Sequence, residues 1–104
     1  MPKTYYAVVF TSQRTGGDNS GYEQMSRRMV DLAKDQPGYL GLESARGPDG
    51  VGITVSYWDS LEAIHAWKAD LEHQEAQAHG RSEWYAWYRI RICRVEADYG
   101  MDPV

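Results

Sequence analysis

Apolar residues recur along this chain at two spacings, and together these spacings predict four strands and two helices. The run from Tyr5 to Ser12 is β-branched and aromatic, as expected of a first strand. The same features predict further strands at Tyr39 to Ala45, Val51 to Trp58 and Ala86 to Val95. Because the sequence Gly-Pro-Asp-Gly at residues 47–50 is a strong turn signal, we expect the second and third strands to form an antiparallel hairpin.

Helical spacing occupies the two longer intervals between these strands. The first helix should end before Pro37, and its apolar positions fall on one face, at Tyr22, Met25, Met29 and Leu32. The second helix is expected to open at Asp59, which stands in capping-box spacing with Glu62, and to end near Gly80. Its apolar stripe consists of Leu61, Ile64, Trp67 and Leu71.

The order of these elements predicts a fold of the α+β class. A βαββαβ order within 104 residues is the ferredoxin-like arrangement, in a chain of the length of one domain, residues 1–104. Right-handed crossovers would place both helices on one face of a four-stranded antiparallel sheet.

The other face of this sheet is expected to be apolar as well. In the first strand, Ala7 and Val9 point to one face while Val8 and Phe10 point to the other. Since soluble monomers rarely expose a large apolar patch, we predict a homodimer through the open sheet face, which is a dimeric α+β barrel. The alternative is a half-polar, solvated face.

Two arginines of the last strand bear on that choice. Arg89 and Arg91 are two residues apart and project toward the same face. If this face is the dimer interface, the arginines need carboxylate partners, because a buried unpaired charge is costly. Glu43 on the second strand is the predicted partner. One arginine reaching a pocket to hold an anionic substrate is the less favoured alternative.

Composition excludes some classes of function. The net charge of -4 argues against a nucleic-acid partner, since a nucleic-acid binder normally carries a basic face. No apolar run reaches membrane-spanning length and the N-terminus does not resemble a signal peptide, so we expect a cytoplasmic protein without a membrane partner. The single Cys93 fits a reducing compartment. Four Trp and eight Tyr against one Phe favour interfaces and ligand pockets, where an aromatic ring also needs a hydrogen bond.

Three segments resemble one known family. The segment from Val55 to Lys68 looks like the junction between the third strand and second helix of antibiotic biosynthesis monooxygenases, and Pro37 to Gly41 (Pro-Gly-Tyr-Leu-Gly) resembles the entry to their second strand. The continuation from Glu72 to Tyr85 is similar to uncharacterised bacterial members. The resemblance implies the fold described above and a cofactor-independent monooxygenase acting on a small aromatic or phenolic substrate.

The resemblance also implies a site. Trp67 and His73 would be the catalytic residues, in a site that uses neither a cofactor nor a metal. The substrate-binding residues would be Trp58, Gln77, Arg81, Trp84 and Tyr85. The alternative is a non-catalytic small-molecule-binding or stress-related dimer, in which Trp67 is a core aromatic and His73 is exposed.

Helix geometry sets a condition on this site. His73 follows Trp67 by six residues. This spacing is about 600° of rotation, which places the two side chains about 120° apart, on different faces of an unbroken helix. They can share a pocket only if the helix kinks or breaks near Ala69 and Asp70.

Haem and metal chemistry are less favoured. The haem-degrading relatives need an Asn on the first strand, whereas the only Asn of this chain, Asn19, lies in a loop. A haem site would have to use His73 or His79. The acidic and histidine residues of the second helix, such as Glu72, Glu75 and His79, do not form a recognised metal-ligand signature.

Overall fold

The elements follow one another in the predicted order. The structure is a computed structural model that describes residues 4–15, 20–78 and 85–101, with side chains for 4–15, 26–71 and 85–101. Its elements are β1 (Tyr5–Arg14), α1 (Ser20–Lys34), β2 (Tyr39–Arg46), β3 (Val51–Trp58), α2 (Leu61–Ala78) and β4 (Tyr85–Val95). The described β1 extends two residues beyond its predicted end, and β3 has the predicted bounds.

The four strands form one sheet in the order β2-β3-β1-β4, and each neighbouring pair is antiparallel. The central strand β1 aligns Val8 with Ser56 of β3 and with Ile92 of β4. The predicted hairpin of β2 and β3 is therefore confirmed, and so is the ferredoxin-like α+β fold.

The hydrophobic core lies between this sheet and the helices. Val8 and Trp58 from the sheet meet Ala33 of α1 and Ile64 of α2, and all four are buried. Since side chains alternate along a strand, the face that carries Val8 is the helix-covered face. On α1, Met29 lies in the predicted stripe and packs at the edge of a second buried cluster around Tyr85. The side chains of Tyr22 and Met25 lie outside the described residues.

The apolar residues of β3 lie on the opposite, open face. Ser56 pairs with Val8, so Val51, Ile53, Val55 and Tyr57 point away from the helices. The helix-covered side of β3 carries Thr54, Ser56 and Trp58 instead. Thus the hydroxyl groups of Thr54 and Ser56 belong to the interior, and the open face of β3 is its more apolar one.

Two tyrosines lie at one end of the open face. The Tyr5 hydroxyl donates a hydrogen bond to the Asp98 carboxylate, and the Tyr5 ring makes an edge contact with Tyr57. The hydrogen bond to Asp98 raises the pKa of Tyr5 to about 12. Burial, followed by the charge of Glu43, raises the pKa of Tyr57. Both hydroxyls therefore remain protonated donors at neutral pH, and Tyr5 ties the C-terminal segment to β1.

Helix α2 is capped one residue later than predicted. The Ser60 hydroxyl accepts a hydrogen bond from the Ala63 backbone N–H at 3.1 Å, which makes Ser60 the N-cap. Asp59, the predicted cap, instead donates its backbone N–H to the Gly38 carbonyl at 2.9 Å. Asp59 is thus part of the junction with the α1–β2 turn. Neither described helix has the length and apolarity to cross a membrane.

That junction requires a glycine at position 38. The Gly38 backbone has a φ of 90°, a conformation that residues with a Cβ rarely adopt. A Cβ at this position would also lie 2.7 Å from the Cβ of Ala63 and against the Asp59 carboxylate. The start of α2 can therefore lie close to the start of β2 only because residue 38 has no side chain.

We expect Gly38→Ala to lower the free energy of unfolding by about 2 kcal/mol or more, because it adds backbone strain and a steric overlap. Gly100→Ala is the matched control, since a Cβ there would meet nothing within 4 Å. Urea unfolding followed by tryptophan fluorescence measures both variants. Equal stabilities of the two variants would contradict this account of the junction.

Candidate functional site

A cavity of about 110 Å³ lies between the helix-covered face of the sheet and the two helices. Strands β1 and β4 form its floor with Val8, Phe10 and Ile90, while Met29 and Leu71 close it from the helices. These side chains are apolar, so the body of the cavity suits a hydrophobic ligand.

Three aromatic rings form one end of the cavity. Phe10, Tyr85 and Tyr88 all line it. The Phe10 ring lies 5.5 Å from Tyr85 in an edge contact and 5.7 Å from Tyr88, measured between ring centroids. Tyr85 is buried, and this packing holds the rings as a stable wall.

Trp67 contributes a further aromatic wall. Its ring lies 5.0 Å from that of Trp58, with 30° between the planes. Trp58 is completely buried, makes an edge contact with Tyr39 and is not among the side chains that line the cavity. Trp58 therefore supports the Trp67 ring.

The two indole N–H groups differ in their hydrogen bonding. Trp58 Nε1 donates to Ser56 Oγ at 2.9 Å. Trp67 Nε1 is also buried, but it has no acceptor among the described residues. A buried donor without a partner costs about 1–3 kcal/mol, so such a group indicates a place for an acceptor from a ligand or a water molecule.

Ser56 supplies a second donor to the cavity. It is 2% exposed, lines the cavity and accepts the Trp58 bond. Because an indole N–H only donates, the Ser56 hydroxyl keeps its own proton for another acceptor. The cavity is thus apolar in its body and provides hydrogen-bond donors, an arrangement suited to a carbonyl or a phenolate oxygen.

Two charged side chains line the cavity, Arg46 of β2 and Lys68 of α2. Among the described residues that line the cavity, these are the only charged side chains, and both are cations.

The predicted site residues are distributed unevenly. Trp67 and Tyr85 line the cavity, whereas Trp58 lies against Trp67 as described above. Predictions for Arg81 and Trp84 lie outside the described residues.

His73 and Gln77 belong to α2, but their side chains lie outside the described ones. The helix runs without interruption from Leu61 to Ala78, so the break near Ala69 and Asp70 that a shared pocket requires does not occur in its backbone. Positions 67 and 73 consequently lie on different faces of α2. The role of His73 stays a prediction.

The predicted site left out most residues that line the cavity, among them Arg46, Ser56, Lys68 and Tyr88. The alternation of side chains along a strand was the available signal for Ser56, because its hydroxyl shares a face with the buried Trp58 two residues later. Arg46 was missed because the second strand was predicted to end at Ala45. The described side chains contain no cluster of three metal-binding residues, and the Glu72, Glu75 and His79 set lies outside them.

Comparisons with known proteins agree with this architecture. The family model described as antibiotic biosynthesis monooxygenase matches residues 5–79. The uncharacterized protein YqjZ of Bacillus subtilis (strain 168) is 53% identical over 92 residues, which cover 88% of this chain and 80% of that protein.

Two solved structures share the fold. PA3566 from Pseudomonas aeruginosa has a TM-score of 0.72 at 16% identity, covering 90% of this chain and 96% of its own. SnoaB, a cofactor-independent oxygenase from Streptomyces nogalater, has a TM-score of 0.65 at 14% identity, covering 98% of this chain and all of its own, 100%.

A double-mutant cycle tests the difference between the two indoles. We expect Trp58→Phe and Ser56→Ala to couple by about 1 kcal/mol in the free energy of unfolding, because each removes the same buried hydrogen bond. Trp67→Phe and Ser56→Ala should show a coupling near zero in the ligand-free protein. Urea unfolding of the single and double variants measures both terms, and a larger coupling for Trp67 would show that Ser56 accepts a hydrogen bond from it.

Proposed function

Because the chain belongs to the antibiotic biosynthesis monooxygenase family, we propose that it is a cofactor-independent monooxygenase acting on a small phenolic or other electron-rich aromatic substrate. The substrate would occupy the cavity beside Trp67. The observation that carries this proposal is the buried Trp67 N–H without an acceptor, next to an apolar and aromatic space.

The donors of the cavity favour an ionised substrate. A phenolate oxygen held by Trp67 Nε1–H and Ser56 Oγ–H would gain two hydrogen bonds to a negative charge, which are stronger than those to a neutral phenol. These bonds lower the pKa of the bound phenol and leave its ring electron-rich. The apolar floor excludes water, so the donors act in a medium of low dielectric.

The proposed reaction balances without an external reductant. The phenolate ring carbon bonds to dioxygen and loses its hydrogen as a proton, while the O–O bond breaks. One oxygen atom becomes the second carbonyl of a quinone and the other leaves as water. The substrate supplies all four electrons that dioxygen accepts, two for each oxygen atom.

The proposal assigns roles to the predicted residues. Trp67 binds the substrate oxygen, and Tyr85 forms part of the aromatic wall around the ring. His73 is the proposed proton acceptor, and because it lies on another face of α2 than Trp67, it would have to take the phenol proton through an intervening group such as a water molecule. Trp58, Gln77, Arg81 and Trp84 remain the proposed substrate-binding set, with Trp58 acting through the Trp67 ring on which it packs.

We further propose that two copies pair through their open sheet faces. Ile53 is 48% exposed there, with Val9 and Val55 beside it in the same sheet face. The strand register places Glu43, Val55, Val9 and Arg91 in one row across the sheet.

Glu43 and Arg91 stand on opposite edges of the sheet, because β2 and β4 are its outer strands. A pair between Glu43 and Arg91 is therefore not available within one chain. A two-fold axis parallel to the strands would bring the β2 edge of one copy over the β4 edge of the other. This charge arrangement supports a second copy as the occupant of the open face.

Trp67→Phe tests the proposed chemistry. We expect it to lower kcat/KM for oxygen consumption with a panel of phenols by about 100-fold, because it removes one donor to the developing oxyanion. Tyr99→Phe is the control, as Tyr99 is 96% exposed and should leave the rate unchanged. An oxygen electrode gives the rate, and labelled dioxygen with mass spectrometry should show one labelled atom in the product.

Failure to consume oxygen with any phenol that the protein binds would overturn the enzymatic proposal and favour the non-catalytic small-molecule-binding alternative.

His73→Ala tests whether His73 acts as the base or only helps to bind the substrate. If His73 takes the proton, kcat falls, KM changes little and the rate is recovered at higher pH as the substrate ionises by itself.

Ile53→Asp tests the dimer. In a dimer it buries a charge, so we expect the mass from light scattering to fall to that of one chain, 11.9 kDa, at micromolar concentration. Leu61→Asp is the control, because Leu61 has a similar exposure of 44% but lies in the first turn of α2. A wild-type mass of one chain, or dissociation by both variants, would contradict the proposed interface.

A further inference from the structure

The cavity has a direction along the sheet, which the strand register defines. On the helix-covered face, Ser56 pairs with Val8, and Thr54 pairs with Phe10 in the next row. Both rows line the cavity. Trp58, two residues from Ser56 in the opposite direction, is not among the residues that line it. The cavity therefore begins beside Ser56 and extends along the strands toward Phe10.

The hydrogen-bond donor without an acceptor lies at the Ser56 end. Trp67 packs on Trp58 with 5.0 Å between the ring centroids. Its Nε1 is buried and has no acceptor among the described residues. A ligand that places an oxygen atom at this donor must extend the rest of its length toward Phe10, because the buried Trp58 blocks the other direction.

The Phe10 ring stands across the far end and is held there from several sides. Phe10 belongs to β1, which pairs with a strand on each side. Its ring contacts those of Tyr85 and Tyr88, at centroid distances of 5.5 Å and 5.7 Å. Met29 of α1 packs against the same cluster. Phe10 therefore cannot move aside for a longer ligand without disturbing close-packed neighbours.

The space between the two ends has about the length of one aromatic ring. A strand rises by about 3.4 Å per residue, so the row of Phe10 lies about 7 Å from the row of Ser56. The volume of about 110 Å³ leads to the same size. An engineered apolar cavity of about 150 Å³ in another protein binds benzene, so this one is of the order of a single ring.

From this geometry we infer that Phe10 is a specificity-determining residue, which restricts the substrate to a phenol with one ring and no bulky group opposite the oxygen. The oxygen accepts the hydrogen bond of Trp67, and the far edge of the ring meets Phe10. The inference rests on the proposed function, since it specifies the substrate class of the same cavity.

Two ligands test the inference without turnover. Phenol and 4-phenylphenol share the acceptor oxygen, and 4-phenylphenol carries a second ring opposite to it. The larger apolar area of 4-phenylphenol favours tighter binding wherever there is room for it. We expect the wild-type protein to bind 4-phenylphenol about tenfold more weakly than phenol in calorimetry, because the second ring overlaps Phe10.

Phe10→Ala should reverse this preference, so that 4-phenylphenol binds about tenfold more tightly than phenol, because the space of the lost ring admits the second one. Phe10→Leu should shift the preference in the same direction by less, and it provides an independent result if Phe10→Ala does not fold. Tyr6→Ala is the matched control and should keep the wild-type preference. Tyr6 lies on the same strand and the same face, but it is not among the residues that line the cavity.

Equal or tighter binding of 4-phenylphenol by the wild-type protein, no binding of phenol, or an unchanged preference in the folded Phe10 variants would overturn the inference. These outcomes are distinct from failure of the proposed function. Oxygen consumption with 4-phenylphenol as fast as with phenol would leave the monooxygenase standing without the size limit. Selective binding of phenol without oxygen consumption would do the reverse.

Discussion

The register of the central strand is the constraint on which the rest of the structure depends. Val8 of β1 lies between Ser56 and Ile92, and this alignment decides which side chains of three strands face the helices. A shift by one residue would exchange the two faces. It would then place the Val55 side of β3 beneath the helices and remove the Ser56 hydroxyl from the cavity. Packing and chemistry therefore depend on the same pairing.

The two stacked tryptophans show how the core and the site share one structure. Trp58 is fully buried and its N–H is satisfied by Ser56, so it behaves as a core residue. Trp67 packs on it at 5.0 Å but leaves its own N–H without an acceptor among the described residues. The well-packed ring thus positions the ring with the unpaired donor, and a ligand oxygen bound there would offset the cost of that donor.

Order, class and pairing of the elements followed from the sequence, because alternation and turn residues are local properties. Which face of β3 is buried did not follow from the sequence, since its apolar residues face the open side and its interior positions carry hydroxyls. This arrangement can be explained only once β3 has been aligned with the central strand β1. The cap at Ser60 and the role of Gly38 depend on a contact between distant segments. Among the residues that line the cavity, Trp67 and Tyr85 were named from the family resemblance, whereas Arg46 and Ser56 could be found only from the strand register.

The two faces of the sheet also link the cavity to the proposed dimer, because the cavity lies on one face and the proposed interface on the other. Val55 and Ser56 are neighbours on β3, one on the open face and the other in the cavity. Among the described residues, no helix covers the open side of this strand, although the hydroxyl and the apolar floor would need a well-fixed backbone to hold a ligand oxygen. A second copy seated on Val55 and Ile53 would restrain that strand from the side opposite to the ligand. Dimerisation would therefore stabilise the geometry of the site without contributing a residue to it.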